Sequence, residues 1–312
     1  IKLVKLFRNM RMSILNLKKT LKIVFIFLFI IMLPEPILAE KNIKNQVNIY
    51  FFHSDTCAHC KQEQKYLDFL YNYMPLNDIA DYDSEFFLEQ VRTAIKAKKT
   101  FSWGKKVPED IFKHYVLVYR VNNENLDTAR TYMFNELKDR IKGMSMYRAA
   151  LEVNHWCHEK VNYKAADGRT SSPLATMKTS WGRCGEESTF TVTALRSVGI
   201  PARQCYTPRW AHTDDNHAWV EVWIDGKWYY LGACEPEPEL NFAWFDAPVK
   251  RAMMVHTTVF GKYNGKEQKN YEADLYSKIN LLSNYTATKK LSVIVKDENG
   301  NPVIKCWYDV TE

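Results

Sequence analysis

Trp181-Gly-Arg-Cys184-Gly-Glu-Glu-Ser-Thr-Phe-Thr-Val-Thr-Ala-Leu-Arg-Ser-Val-Gly199 is the most informative stretch of the 312-residue chain. It reads as one helix, with Phe190, Ala194, Leu195 and Val198 forming a buried stripe, because residues three and four apart share a helix face. Gly199 suits the left-handed position that closes a helix. Gly182 and Gly185 let the backbone turn sharply at the start and leave room for a close neighbour. Cys184 then falls in the first turn, where unpaired N–H groups and the helix dipole favour a thiolate. A buried, inert cysteine is the competing reading; glycines on both sides argue for a functional one.

Downstream, Ile200-Pro-Ala-Arg-Gln-Cys-Tyr206 reads as a strand and is followed by a loop, Trp210-Ala-His-Thr-Asp-Asp-Asn-His217. Ala218 to Ile224 and Lys227 to Leu231 alternate as two strands around Asp225-Gly226, a type I′ hairpin turn. His217 stands at the mouth of the first of these strands, where an imidazole can face a helix N-terminus packed on the sheet. With Ile224 opposite Lys227, an unbroken ladder sets His217 opposite Cys234, puts Gly232 on the same face and turns Glu235 to the other. Glu235 reaches His217 only if Gly232-Ala-Cys234 bends. Asp214 and Asp215 are alternative acids, though loop aspartates are ordinarily solvated. Upstream, residues 62 to about 161 carry helical periodicity, clearest over Phe86–Lys99, Asp127–Ile141 and Ser145–Lys160.

Arg183-Cys-Gly-Glu186, Ala194-Leu-Arg-Ser-Val-Gly-Ile-Pro-Ala-Arg203, Asn216-His-Ala-Trp-Val-Glu-Val222 and Gly226-Lys-Trp228 together resemble the transglutaminase-like superfamily. The Gly-Arg-Cys-Gly-Glu run is especially similar to the peptide N-glycanases. The resemblance covers about residues 181–235 and implies an α+β, papain-like core in which a Cys-bearing helix packs on an antiparallel sheet, preceded by a mostly helical region. It implies a transglutaminase-like domain over 62–285 with a Cys–His–acid triad acting on amide bonds through a thioester, Cys184 as nucleophile and His217 as base. The family acid stands four residues after the hairpin tryptophan, and that position here is Gly232, so Glu235 is the expected third member. Trp181, Trp210 and Asp215 are expected to bind substrate, with the Cys184 backbone N–H as oxyanion donor and Trp181 or Gln204 as side-chain alternatives, while Arg183 and Glu186 are expected to fix the loop. The expected substrate is a peptide, protein or glycopeptide that is hydrolysed rather than cross-linked, with no cofactor. A non-catalytic module of the same fold is the rival, fed by Gly232.

The two ends read differently. Residues 1–39 hold seven of the 43 basic side chains and one of the 36 acidic ones, which leaves the rest of the chain at +1. A near-neutral body has no footprint for nucleic acid, and that class is excluded. The basic run leads into Ile23-Val-Phe-Ile-Phe-Leu-Phe-Ile-Ile-Met-Leu33 and a small residue at Ala39, the pattern of a signal peptide. Eleven apolar residues fall short of the roughly 20 a membrane-spanning helix needs. An exported protein is expected, touching a membrane only through this leader, for which Met12 is a more ordinary start than Ile1. Residues 40–61, with Cys57-Ala-His-Cys60 after a strand-like run, look like the opening of a thioredoxin-like domain, but the further strands and proline loop of that fold do not follow. A thiol–disulfide oxidoreductase on Cys57 and Cys60 is the second rival; a remnant is the favoured reading. Residues 286–312 read as a truncated β-sandwich hairpin around Asn299-Gly300. His155 with Cys157 and His158, and His212 with Asp214, Asp215 and His217, could be read as metal ligands, but helix packing and loop capping explain them and no metal is expected.

Overall fold

The computed structural model describes residues 58–165 and 170–311. The signal-peptide reading and Cys57 lie outside the described residues, whereas Cys60 sits in the first turn of helix α1.

The helical region is built as the periodicity predicts: α1 (Ala58–Tyr73), α2 (Leu76–Asp81), α3 (Ser84–Thr100), α4 (Glu109–Phe112), α5 (Ala129–Leu137) and α6 (Met146–Lys160). Side-chain caps set two of the starts, Asp83 accepting from the Phe86 N–H and Ser145 from the Arg148 N–H. The run expected over Asp127–Ile141 is helical only to Leu137 and continues as turns to the left-handed Gly143. Helix α1 crosses the boundary expected at 61/62, and its Tyr66, Leu67 and Leu70 are buried in the same core as α3 and α6.

After a short parallel bridge between β1 (Asn162–Tyr163) and β2 (Trp181–Gly182), with α7 (Pro173–Thr179) between them, the chain enters α8 (Cys184–Ser197). Where the sequence suggests one buried stripe, α8 is buried on every face from Glu186 to Ser197. It packs between α3, α5, α6 and α7 on one side and β3 and β4 on the other. Its small hydroxyl residues make that burial possible by bonding back along the helix, as Thr193 Oγ1 does to Thr189 O at 2.8 Å and Ser197 Oγ to Ala194 O at 2.6 Å. Gly199 ends it at φ +76°, with the Ile200 N–H reaching back to Leu195 O.

A six-stranded antiparallel sheet follows, in the order β5 (Lys227–Leu231), β4 (His217–Ile224), β3 (Ala202–Thr207), β6 (His256–Phe260), β8 (Tyr276–Asn280), β7 (Lys269–Glu272). The β4–β5 register is the predicted one, Ile224 opposite Lys227, with Asp225 and Gly226 both at positive φ. Val220 and Val222 join the α8 core while Trp219 alternates into a second cluster with Trp210 and Phe245, reinforced by the short helix α9 (Asp246–Val249). Fully buried Arg203 ties the sheet together through Glu221 and Glu267 and stacks on the face of Trp228 at 3.8 Å. Strands β9 (Thr288–Lys296) and β10 (Pro302–Thr311) form a separate two-stranded ladder over the predicted terminal hairpin.

Candidate active site

The site begins at the start of α8. Glu186 accepts from the Arg183 backbone N–H at 3.0 Å and from the Arg183 Nε, closing the first turn around Cys184 as expected of loop-fixing residues. Gly182 is the glycine this turn requires, because a Cβ there would stand 2.6 Å from the Glu186 Cβ. Gly185, expected to serve the same purpose, has ordinary room for a side chain, its nearest neighbour being Arg183 at 3.8 Å.

Cys184 and His217 open on one cleft of about 700 Å³, whose wall also includes Trp210, Asp215, Glu187, Glu235 and Trp244. Trp210 is thus placed as expected and is almost wholly buried, and Asp215 is exposed at the rim. Trp181 is not among the lining residues; it is exposed, with the Lys164 ammonium 4.5 Å over its ring. Gln204 is already spent on Ser188 Oγ at 2.8 Å and the Gly185 carbonyl, which removes it as a ready oxyanion donor.

The electrostatics correct the expected thiolate. Burial pushes the Cys184 thiol up, against the pull of the Ala218 N–H, the Arg183 charge and the Gly185 N–H. Burial alone brings His217 down to about 4. Its ring is boxed by Trp244 at 4.9 Å, Phe245 at 5.3 Å, and Trp210 and Trp219 at 5.9 Å, and its buried Nε2 has no hydrogen-bond partner among the described residues. Both shifts favour the neutral thiol and the neutral imidazole.

The expected Glu235–His217 hydrogen bond is not made. The β4–β5 ladder stops at Leu231, and the chain bends through Cys234 at φ +56° rather than pairing Cys234 with His217. The bend delivers the Glu235 carboxylate over Gly232, where a Cβ would meet Glu235 Oε2 at 2.2 Å, so the acid fills the space of the missing side chain. There it accepts from Trp244 Nε1 at 3.2 Å, and Trp244 in turn lies edge-on to His217.

Two participants escaped the sequence reading. Asn154 on α6, fully buried, holds the bend by donating to Gly232 O and Glu235 O and accepting from the Cys234 N–H. Glu187, one position beyond the Gly-Glu motif, has its carboxyl pushed up to about 8 by burial and then by Glu235. Trp244, one of several tryptophans whose aromatic character suggests a groove for a peptide or sugar, does line the cleft. His158 Nδ1 lies 2.9 Å from Cys234 O and His155 pairs with Glu159, and no cluster of three or more His, Cys, Asp or Glu side chains suits a metal among the described residues.

The sequence profile described as "Transglutaminase-like superfamily" matches residues 135–233, from the end of α5 to the bend. Those residues form a transglutaminase-like domain. A peptide-N(4)-(N-acetyl-beta-glucosaminyl)asparagine amidase of Eremothecium gossypii is 39% identical over 69 residues, 22% of this chain and 18% of that protein, so the matched segment spans under a fifth of the curated relative. Among solved structures, a candidate cysteine protease of Cytophaga hutchinsonii covers 67% of this chain and 66% of its own at 15% identity and TM-score 0.30. Legionella pneumophila LapG covers 47% and 80% at 18% identity and TM-score 0.28. The transglutaminase-like core thus has the expected α+β form, a Cys-bearing helix on an antiparallel sheet behind a helical region. No helix among the described residues is long and apolar enough to cross a membrane.

Proposed function

We propose that this chain is an exported cysteine hydrolase of transglutaminase-like fold, acting without a cofactor on amide bonds of peptides, proteins or glycopeptides. The observation that carries the reading is Cys184, in the first turn of a helix, and His217, at the start of a strand, lining one aromatic cleft inside the family-matched segment. The leader pattern over 1–39 supports export. Because both shifts favour the neutral forms, His217 acts as general base during attack rather than as a preformed imidazolium. The thiol proton passes to the imidazole as the S–C bond forms, and the leaving amine takes that proton as the C–N bond breaks. Water, deprotonated by the same imidazole, then cleaves the thioester to an acid and restores the thiol. Glu235 is a positioning residue, acting on the His217 ring through Trp244.

One observation favours a second reading, a binding module without catalysis: the buried His217 Nε2 lacks the acid that would orient it. Hydrolysis of fluorogenic peptide amides and of an N-glycopeptide, in wild type and Cys184→Ala, separates the two. The enzyme reading expects turnover to fall at least about 10³-fold in Cys184→Ala. It also expects the acid limb of kcat/KM near pH 4, because a base whose pKa is lowered stays unprotonated down to that pH. Turnover indifferent to Cys184→Ala, or no turnover together with equal, slow iodoacetamide labelling of every accessible cysteine, establishes the module instead.

A further inference from the structure

A second cavity, of about 270 Å³, opens on the other side of Cys184. Its floor is sheet: Gln204 and Tyr206 of β3, His256 and Thr258 of β6 and Lys278 of β8 share one face, because Tyr206 pairs with His256 and Thr258 with Lys278. Its character is opposite to that of the aromatic cleft. Arg183 lines both; the aromatic cleft adds Glu187, Asp215 and Glu235, whereas the second cavity adds Lys278 and, among the described residues, no acidic side chain.

Lys278 is the unusual member. Its ammonium is half-buried, donates to Thr258 Oγ1 at 2.6 Å, and has no carboxylate partner among the described residues. A partly desolvated cation without a counter-ion is costly, and in folded proteins such a group is ordinarily paired. Neighbouring His256 does not share the charge: burial first, and the Lys278 ammonium second, push it down to about 4, so at neutral pH it is an uncharged hydrogen-bonding group against the Tyr206 ring at 5.5 Å.

We propose that this cavity is a substrate subsite for a carboxylate, with Lys278 as its counter-ion and Thr258 and His256 as flanking polar contacts. Its orientation rests on the hydrolase reading. His217 lines only the aromatic cleft, and the imidazole returns its proton to the leaving nitrogen, so the leaving amine belongs in the aromatic cleft and the acyl part in the basic cavity. The substrate class is then an amide whose acyl side carries an acidic group a short distance from the scissile carbonyl, as an acidic peptide does.

The test needs no catalysis. Acetyl-glutamic acid α-amide and acetyl-glutamine α-amide differ by one carboxylate against one carboxamide, and their binding to the whole chain is measured by NMR titration. A charge-assisted hydrogen bond is stronger than a neutral one, so the acidic probe should bind at least about tenfold tighter. Lys278→Met should abolish that preference, Lys278→Arg should retain it, and added salt should weaken the acidic probe alone. Equal binding of the two probes to wild type, or a preference that survives Lys278→Met, overturns the proposal. Absence of binding by the acidic probe overturns it equally. A second readout locates the subsite: iodoacetate should alkylate Cys184 faster relative to iodoacetamide in wild type than in Lys278→Met. Loss of amide turnover with the probe preference intact would sink the hydrolase reading alone, and turnover with no probe preference would sink the subsite alone.

Discussion

At the scale of single residues, the side chain of position 235 fills the space that position 232 leaves empty. The family pattern wants an acid at 232; the chain has glycine there and a carboxylate 2.2 Å from the Cβ that glycine lacks. Gly232→Asp alone places its Cβ 2.9 Å from the Glu235 Cβ, an overlap of about 1–3 kcal/mol that the flexible carboxylate end cannot relieve by itself. Gly232→Asp combined with Glu235→Gly removes both the carboxylate and the Cβ from that space and puts an acid back at position 232. Amide turnover should therefore fall in Glu235→Ala, by roughly the 10²-fold typical of a lost positioning contact, and recover at least partly in the double variant. Equal activity in wild type and Glu235→Ala would remove Glu235 from the site. Glu187 complicates the local charge: burial first and Glu235 second push its carboxyl up to about 8, so Glu235→Ala should also lower the Glu187 pKa.

At the scale of elements, the site is a helix start, a strand start and a bend, each held by a different device. The helix start was legible because Cys184-Gly-Glu and Gly199 mark both ends of α8, and the hairpin because Asp225-Gly226 fixes its register. What was not legible is long-range. Strands β6, β7 and β8 carry no two-residue turn signal and short alternation, and the β6–β3 pairing that joins them to the sheet sets Tyr206 against His256, fifty positions away. The all-round burial of α8 escapes a periodicity argument because serines and threonines occupy faces that would otherwise be apolar. The bend at 232–235 depends on Asn154, nearly eighty residues upstream, which no local pattern connects to it. Asn154→Ala would leave Gly232 O, Glu235 O and the Cys234 N–H buried without this partner, at about 1–3 kcal/mol for each group that finds no other. Chemical denaturation should show a loss of at least about 2 kcal/mol, and a variant as stable as wild type would mean that the bend holds itself.

At the scale of the whole described chain, stability should be graded outward from α8. This helix is enclosed by four helices and two strands, and from Glu186 to Ser197 no residue reaches solvent appreciably, so its amide groups can meet water only when the layers around it separate. The β9–β10 ladder is the opposite case: it hydrogen-bonds to none of the six sheet strands, and Ile294, Val295 and Val303 are about half exposed. Two strands bury too little to hold themselves closed, so their opening does not require the core to open. Native-state hydrogen exchange should accordingly find the amides of Phe190 to Leu195 exchanging only through global unfolding, with a denaturant dependence equal to that of the whole protein. Amides of Val293 to Val295 should exchange through local opening at least several kcal/mol cheaper and nearly independent of denaturant. Hairpin amides as slow as those of α8 would mean that β9 and β10 are an integral layer of the transglutaminase-like body, and the reading of residues 286–312 as an appendage would have to be abandoned.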